Sequence, residues 1–382
     1  MATHDPSHAI GRYRSDIDGL RSLAVLPVVV FHIVAAAMPG GYVGVDIFFV
    51  ISGYLITGIL WRDIENDRFS VLRFYERRIR RIFPALFVVL LFCLVVAYLL
   101  LLPYDFRAFG GNVAATVLFS SNIMFWINIG YFDQAAELKP LLHTWSLAVE
   151  EQYYTVFPLM MFALRSFSRK GIFLALSFAT VVSFGISVYQ TRHAPGAAFY
   201  LPFGRFWELL IGAMLALLPV KKAPSVYIRE GLGLAGLLLL CFSFAFYSEK
   251  TPFPGVAALA PVLGTALIIY AGAAGYNRVY ALLSLPPLVW VGKISYSLYL
   301  WHWPVLAFFR YAMARSPQGW EIPASFTLIV LAAWASYRFI ETPFREGRLR
   351  AMSRPQIFTA AGAVMTIVFA VGLYGYETRG LP

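Results

Sequence analysis

Residues 20–33 read LRSLAVLPVVVFHI, and only apolar or small side chains lie between Arg21 and His32. Eleven residues make about three helical turns, so Arg21 and His32 are expected on one helix face, about 16 Å apart along the axis. An ionisable group inside a membrane costs about 3 kcal/mol or more and therefore usually faces a cavity. Arginine binds anions and histidine exchanges a proton near neutral pH. The stretch predicts a membrane helix that acts on a charged, membrane-crossing substrate.

Composition predicts an all-α polytopic membrane protein. Of the 382 residues, 59% are hydrophobic and only 13% are charged, whereas soluble domains carry about 25% charge. The net charge of +11 is typical of lysine and arginine gathered in cytoplasmic loops, so we expect no nucleic-acid partner. Cys93 and Cys241 both lie in apolar runs, and their spacing fits neither a disulfide framework nor a zinc site. No metal is therefore expected.

Eleven apolar stretches are long enough to cross a bilayer, which takes about 20 residues each. They lie near 20–38, 43–61, 82–102, 143–164, 171–189, 199–218, 230–248, 255–272, 294–311, 322–340 and 356–376. A further stretch, 108–127, is apolar but is interrupted by glycine, serine and asparagine.

The distribution of basic residues predicts the topology. Segment 62–81 contains seven arginines and is therefore expected on the cytoplasmic side, with the N-terminus inside. The basic residues at 165–170, 221–229 and 345–354 also fall inside if 108–127 does not cross, which makes it a re-entrant or interfacial element. The C-terminus is then extracytoplasmic. In the alternative, 108–127 is a twelfth span and one loop departs from the charge rule.

Two polar segments lie near the first three predicted spans. Residues 40–54 contain Asp46 and Ser52, and Asp46 is expected either to take part in chemistry or to be a helix N-terminal carboxylate at the interface. Residues 74–84 place four arginines in five positions, and guanidinium groups bind phosphates bidentately. A topogenic or lipid-headgroup cluster is the alternative. These arginines are Arg77, Arg78, Arg80 and Arg81.

A third segment, residues 143–154, places His143 and Glu150 seven residues apart on one predicted helix face, with Glu151 close to it. Two adjacent carboxylates in an apolar helix are costly unless they are functional or paired, for example with Arg205 or Arg338.

The fourth segment, residues 292–304, spaces Ser295, Tyr299 and His302 as one helix would, beside Tyr296. Its aromatic residues suit an interfacial belt, and a structural hydrogen bond is an alternative role for His302. Late in the chain, Arg338 is expected to pair with Glu341 across one turn. We expect this pair to have a structural role, with a place in the wall of the donor pocket as the alternative.

Together these segments resemble the acyltransferase family 3 membrane proteins of bacteria, which O-acylate glycans. The resemblance covers roughly residues 10–345. It rests on Arg21 and His32 with ten residues between them, a Gly-Gly…Phe-Phe stretch and the pair Arg78-x-x-Arg81. His-Thr-Trp-Ser…Glu-Glu-Gln-Tyr-Tyr and Ser-Tyr-Ser-Leu-Tyr-Leu-Trp-His follow in the same order. It implies a ten-helix membrane bundle over 1–345, followed in 346–382 by an inner loop, an eleventh transmembrane helix and a short extracytoplasmic tail.

The resemblance implies transfer of an acyl group, usually acetyl, from cytoplasmic acyl-CoA to a glycan hydroxyl outside the bacterial inner membrane. Acetyl-CoA would be the donor, with its phosphates held by Arg78, Arg81 and their neighbours. His32 would act as general base or as a covalent acyl carrier, oriented by Glu150 or Glu151. Arg21 would pair with CoA or steady the thioester.

Family members with an eleventh helix often carry an extracytoplasmic SGNH-type domain. The resemblance therefore implies such a domain, in trans or fused beyond residue 382, as a partner beside the glycan and membrane lipids. The acceptor stays open among O-antigen, peptidoglycan, exopolysaccharide, a periplasmic glucan and a macrolide-like small molecule.

Two other functions fit the same residues. In a proton-coupled transporter or flippase of a lipid-linked or acylated solute, His32, Glu150 and Glu151 would form a proton relay, and a broken helix near 108–127 suits transporters. In a non-catalytic membrane subunit, acyl groups would be handed to a separate periplasmic partner.

Overall fold

Helices form all the regular structure in the described part of the protein. The computed structural model describes residues 13–129, 135–218, 224–346 and 351–378. Six of its helices are long and apolar enough to cross a membrane: Gly41–Glu65, Val71–Leu100, Arg169–His193, Val226–Phe246, Glu321–Arg345 and Arg354–Glu377. The predicted all-α polytopic membrane class is therefore confirmed, while the number of crossings stays a prediction.

Sixteen α-helices follow one another along the described residues. In the first half they are α1 (Ser15–Ile33), α2 (Gly44–Glu65), α3 (Val71–Leu100), α4 (Pro103–Val117), α5 (Ser121–Ile127), α6 (Thr144–Ala163), α7 (Arg169–His193) and α8 (Pro195–Tyr200). In the second half they are α9 (Phe206–Leu217), α10 (Val226–Phe246), α11 (Leu259–Ala274), α12 (Arg278–Leu283), α13 (Pro286–Met313), α14 (Glu321–Ser336), α15 (Thr342–Arg345) and α16 (Arg354–Glu377). A π-helical turn, Tyr337–Glu341, joins α14 to α15.

Most of segment 62–81 is helical, and its cytoplasmic position stays a prediction. Helix α3 begins at Val71, where the Ser70 hydroxyl accepts a hydrogen bond from the backbone N–H of Arg73 at 3.3 Å. A serine cap and good helix formers such as arginine favour helix here, although the segment is too polar to be read as a span. Most of the arginines therefore project from a helix, which fixes their spacing.

Two predicted stretches are broken. Residues 108–127 form α4 and α5 with a break after Val117, so the predicted interruption is confirmed, and whether the element crosses stays a prediction. Stretch 199–218 is not one continuous helix, because α9 has 12 residues and α8 precedes it across a turn at Pro202–Gly204, and whether the stretch crosses stays a prediction. The basic residues Lys221, Lys222, Arg348 and Arg350, and the tail 379–382, lie outside the described residues.

Contacts divide the chain into two compact units. The first unit contains the described residues up to Phe69 together with Tyr153–Ser295. Its apolar core is built from α1, α2, α9 and α11. Helices α2 and α9 touch at their backbones, since a Cβ on Gly53 would lie 1.8 Å from the Leu209 carbonyl oxygen and one on Gly212 would lie 2.0 Å from that of Val50.

The second unit contains Ser70–Gln152 and the described residues from Tyr296 onwards. Its core is formed by α3 and α4 with parts of α6 and α13. Helix α16 belongs to this unit and packs against α4, where a Cβ on Gly110 would lie 2.6 Å from the Gly372 carbonyl oxygen. The predicted eleventh helix is therefore an integral part of the second unit.

Candidate functional site

Helix α1 of the first unit carries Arg21 and His32. The helix is unbroken from Ser15 to Ile33, so the predicted separation of Arg21 and His32 by about three turns holds. Arg21 is 14% exposed and forms an ion pair with Asp18 at 3.5 Å. The His32 ring lies edge-on to the ring of Phe31, with centroids 5.1 Å apart.

Asp46 is fully buried in the first turn of α2 and pairs with an arginine. One terminal nitrogen of Arg205 lies 3.2 Å from an Asp46 oxygen, and the other lies 3.0 Å from an oxygen of Glu208. The Arg205 guanidinium also stands over the rings of Phe49 and Phe253. Asp46 is thus a carboxylate of the first helical turn, as one of the two alternatives states, and it is completely buried; whether it lies at the membrane interface stays a prediction. Arg205, offered as a partner for Glu150 or Glu151, pairs with Asp46 and Glu208.

Sequence reasoning missed the roles of Arg205 and Glu208, although a signal was present. Both are charged and stand three residues apart in a stretch read as apolar. It also missed Tyr42, whose ring packs against Phe31 at a centroid distance of 5.6 Å and whose hydroxyl donates to the Ser248 carbonyl at 3.2 Å. Ser52 lies half-buried on α2.

In the second unit, the four arginines of α3 have different surroundings. Arg77 is exposed. Arg80 donates to Glu76 at 3.2 Å and to the Met352 carbonyl at 2.6 Å. The guanidinium of Arg78 stands 5.6 Å from the centre of the Phe74 ring. Arg78 and Arg81 also interact electrostatically with the buried carboxylate of Glu151. The structure thus brings together two predicted phosphate ligands and a predicted catalytic carboxylate.

Tyr296 extends this group from α13. Its hydroxyl donates to the Ile82 carbonyl at 3.0 Å, and it interacts electrostatically with Glu151 and Arg81. Glu341 also faces Tyr296 and accepts a hydrogen bond from the Ser297 hydroxyl. The predicted pair of Glu341 with Arg338 is wrong, because Arg338 is exposed and Glu341 is buried. The π-helical turn explains this, since it changes the angular spacing that a pair across one α-helical turn needs.

The two buried histidines meet around Tyr299. The Tyr299 hydroxyl donates to the His143 carbonyl at 2.9 Å and lies 2.7 Å from the Ser146 hydroxyl. The Nδ1 atom of His302 lies 2.6 Å from the Tyr299 carbonyl oxygen, and the His143 and His302 rings are 5.8 Å apart at their centroids.

Helix α6 begins one residue after His143, in contrast to the prediction that His143 and Glu150 share a helix face. The Thr144 N–H bonds the Leu141 carbonyl at 3.0 Å and closes a turn before the helix. Tyr299 nevertheless joins the two residues, because it contacts His143 and interacts electrostatically with Glu150.

Polar side chains linked by hydrogen bonds, ring contacts and electrostatic interactions therefore lie on α3, α13 and α6 or just before α6 in the second unit, and we call this group the polar strip. Its members are Arg78, Arg81, Glu150, Glu151, Tyr296, Tyr299, Ser146, His143 and His302. One end offers guanidinium groups beside carboxylates, which suits an anion. The other offers hydroxyl and imidazole groups, which suit proton exchange. His32 and Arg21 belong to the first unit.

Comparison with known proteins agrees with this chemistry. A family model described as an acyltransferase domain matches residues 14–338. The O-acetyltransferase OatA of Staphylococcus aureus strain NCTC 8325 is 34% identical over 361 residues, which cover 90% of this chain and 59% of the relative. A putative O-acetyltransferase of S. aureus strain MSSA476 is 33% identical over 360 residues, with the same two coverages. The chain thus spans about three fifths of the length of the curated relatives it matches. No solved structure matches. The chain belongs to acyltransferase family 3, whose sequence motifs and apolar helices it carries.

Proposed function

We propose that this protein is a membrane O-acetyltransferase, which moves an acetyl group from cytoplasmic acetyl-CoA to a hydroxyl of an extracytoplasmic glycan. The polar strip carries the proposal, because it places guanidinium, carboxylate, hydroxyl and imidazole groups in one unit of an apolar protein. Burying such groups is costly, so a chain keeps them where they bind or react. Two similar proteins are named O-acetyltransferases, which supports acetyl as the group transferred and an oxygen as its acceptor.

In this proposal the arginines of α3 bind the phosphates of CoA. Four guanidinium groups stand within five positions, and a guanidinium group matches a phosphate bidentately. Arg77 is exposed and suits a first contact with the donor, while Arg78 and Arg81 hold it beside Glu151. This role assigns the α3 arginines to the cytoplasmic face, with the N-terminus inside and the C-terminus outside.

His32 of α1 is proposed as the base. It takes the proton from the acceptor hydroxyl while the hydroxyl oxygen attacks the thioester carbonyl carbon, and the carbon–sulfur bond then breaks. The departing CoA sulfur takes the proton from the imidazolium and leaves as the thiol, so protons and charges balance. Arg21 is proposed to steady the thioester end. In the alternative route His32 is a covalent carrier: its imidazole first takes the acetyl group from CoA and then passes it to the acceptor hydroxyl.

The curated relatives are longer than this chain, and we propose that an additional domain serves the acceptor step. An SGNH-type domain, in trans or fused, would receive the acetyl group outside the membrane. The membrane domain is then residues 1–345, and residues 346–382 lead towards that partner. Lipids surround both, and the glycan is the final acceptor.

The test is the donor half-reaction. Purified protein in lipid nanodiscs is incubated with radiolabelled acetyl-CoA, with water as the acceptor in place of the glycan hydroxyl, and release of free CoA thiol and binding of the donor are both measured. We compare wild type, His32→Ala and a matched control, His193→Ala, which removes an exposed histidine at the end of α7. General-base catalysis contributes about 10²- to 10⁴-fold, so His32→Ala is expected to lose that much turnover with binding retained. His193→Ala is expected to match wild type.

Two outcomes would overturn the proposal. Unchanged turnover in His32→Ala would remove His32 from the mechanism. Absence of donor binding and turnover in every form, with acetyl-CoA and a longer acyl-CoA, would favour transport of a lipid-linked solute.

A further inference from the structure

Asp46, Arg205 and Glu208 form the most deeply buried charged group among the described residues. Their exposed fractions are 0%, 1% and 0%. Arg205 lies within 3.2 Å of Asp46 and within 3.0 Å of Glu208, so one guanidinium stands between two carboxyl groups. All three belong to the first unit, where α2 and α9 touch at their backbones. None of them belongs to the polar strip or to the pair Arg21 and His32.

The charges of this group do not balance if both carboxyl groups are ionised. Two carboxylates and one guanidinium leave one net negative charge in a fully enclosed site. Tyr42 and Tyr247 also face Asp46, and a phenol is uncharged at neutral pH. Among the described residues, Arg205 is the cation placed against both carboxyl groups. An unbalanced charge away from water costs several kcal/mol or more, so such groups are usually neutralised by a proton.

The contacts of Glu208 point to where that proton lies. Both Glu208 oxygens are enclosed, and no N–H or O–H group in the described residues donates to them with hydrogen-bond geometry. Arg205 nevertheless brings the two carboxyl groups close together, since its terminal nitrogens lie 3.2 Å from Asp46 and 3.0 Å from Glu208. Two carboxylates have acceptors only, so a hydrogen bond between them needs a proton. The paired aspartates of acid proteases hold one proton for the same reason.

We propose that Asp46 and Glu208 hold one proton between them at neutral pH, so that with Arg205 they form an electrically neutral buried site. The shared proton gives one Glu208 oxygen a hydrogen-bond partner, and the remaining negative charge is matched by Arg205. The site is a proton-binding site distinct from the acyl-transfer residues, and the inference does not rest on the proposed function.

Infrared spectroscopy of the full-length protein in lipid tests this directly. A protonated carboxyl group has a carbonyl stretch that ionised carboxylates lack. The wild type at neutral pH is expected to show this acid band. Asp46→Asn and Glu208→Gln are each expected to lose it, because the carboxyl group that remains pairs with Arg205 and is ionised. Glu65→Gln, which changes an exposed acid on α2, is the matched control and is expected to keep the band.

Asp46→Asn and Glu208→Gln each test the shared proton independently, so the test remains possible if one of them fails to fold. The proposal is overturned if the wild type has no acid band at neutral pH, or if the band persists at full intensity in Asp46→Asn or Glu208→Gln. Loss of the band in Glu65→Gln would also overturn it, since the proton would then lie elsewhere.

Discussion

Replacing Arg81 by alanine is expected to raise the KM for acetyl-CoA about 10- to 100-fold. A charge-assisted hydrogen bond contributes ~1.5–3 kcal/mol, and each 1.4 kcal/mol is a factor of ten in affinity. Arg81 also interacts with Glu151, which is 8% exposed, so its removal leaves that carboxylate with less positive charge nearby. The single variant therefore combines two effects that need to be separated.

A double-mutant cycle separates them. Glu151→Gln keeps the shape of the side chain and removes its charge, so the effect of Arg81→Ala in that background reports on the donor alone. Initial rates of CoA-thiol release in nanodiscs, over a range of acetyl-CoA concentrations, give KM and kcat for all four forms. Arg73→Ala removes an exposed arginine from the same helix and is expected to leave KM unchanged.

If Arg81 binds the donor phosphates, Arg81→Ala raises the KM for acetyl-CoA both in the wild type and in the Glu151→Gln background. If the double variant instead returns to the KM of Glu151→Gln alone, Arg81 only neutralises Glu151 and the phosphate-binding role is refuted. An equal increase in Arg73→Ala would show that general surface charge, rather than the polar strip, attracts the donor.

Three further predictions concern other parts of the protein. Tyr299→Phe removes the hydroxyl at the centre of the polar strip and keeps the ring, so kcat is expected to fall about 2- to 10-fold, as for a neutral hydrogen bond; a rise in KM alone would contradict this. Gly212→Ala is expected to lower the thermal unfolding temperature, whereas Gly58→Ala, which meets no atom within 4 Å, is expected to raise it slightly, and the opposite order would contradict the packing. Glu76→Ala removes the partner of Arg354 and is expected to speed backbone hydrogen exchange in the first turns of α16, while an unchanged exchange rate would show that the pair does not hold the start of α16.

The sequence predicts best what depends on neighbouring residues. The run of apolar residues around Arg21 and His32 indicates α1, and the run over 356–376 indicates α16. Glycine and polar side chains within 108–127 indicate the break between α4 and α5. Hydropathy and charge alone misplace the start of α3, because a polar helix beyond the bilayer has no apolar run to reveal it.

The partners of the charged residues are not predictable in the same way. Asp46 and Arg205 are far apart in sequence, and only the packing of α2 on α9 brings them together. The pairing of Glu341 with Ser297 depends on a π-helical turn that no local pattern indicates. A sequence thus shows that a buried charge needs a partner, and the tertiary structure decides which residue supplies it.

Charge balance connects these partners to the proposed reaction. In the first unit, one proton makes Asp46, Arg205 and Glu208 neutral, so this group has no need of a ligand. In the second unit, Arg78 and Arg81 face a buried carboxylate, and the phosphates of acetyl-CoA would bring further negative charge to the same guanidinium groups. Donor phosphates and the Glu151 side chain then compete for the same guanidinium groups. Glu151→Gln, which removes the competing carboxyl group, is therefore expected to bind acetyl-CoA more tightly than wild type. Weaker binding by that variant would show that the carboxylate charge assists the donor instead of competing with it.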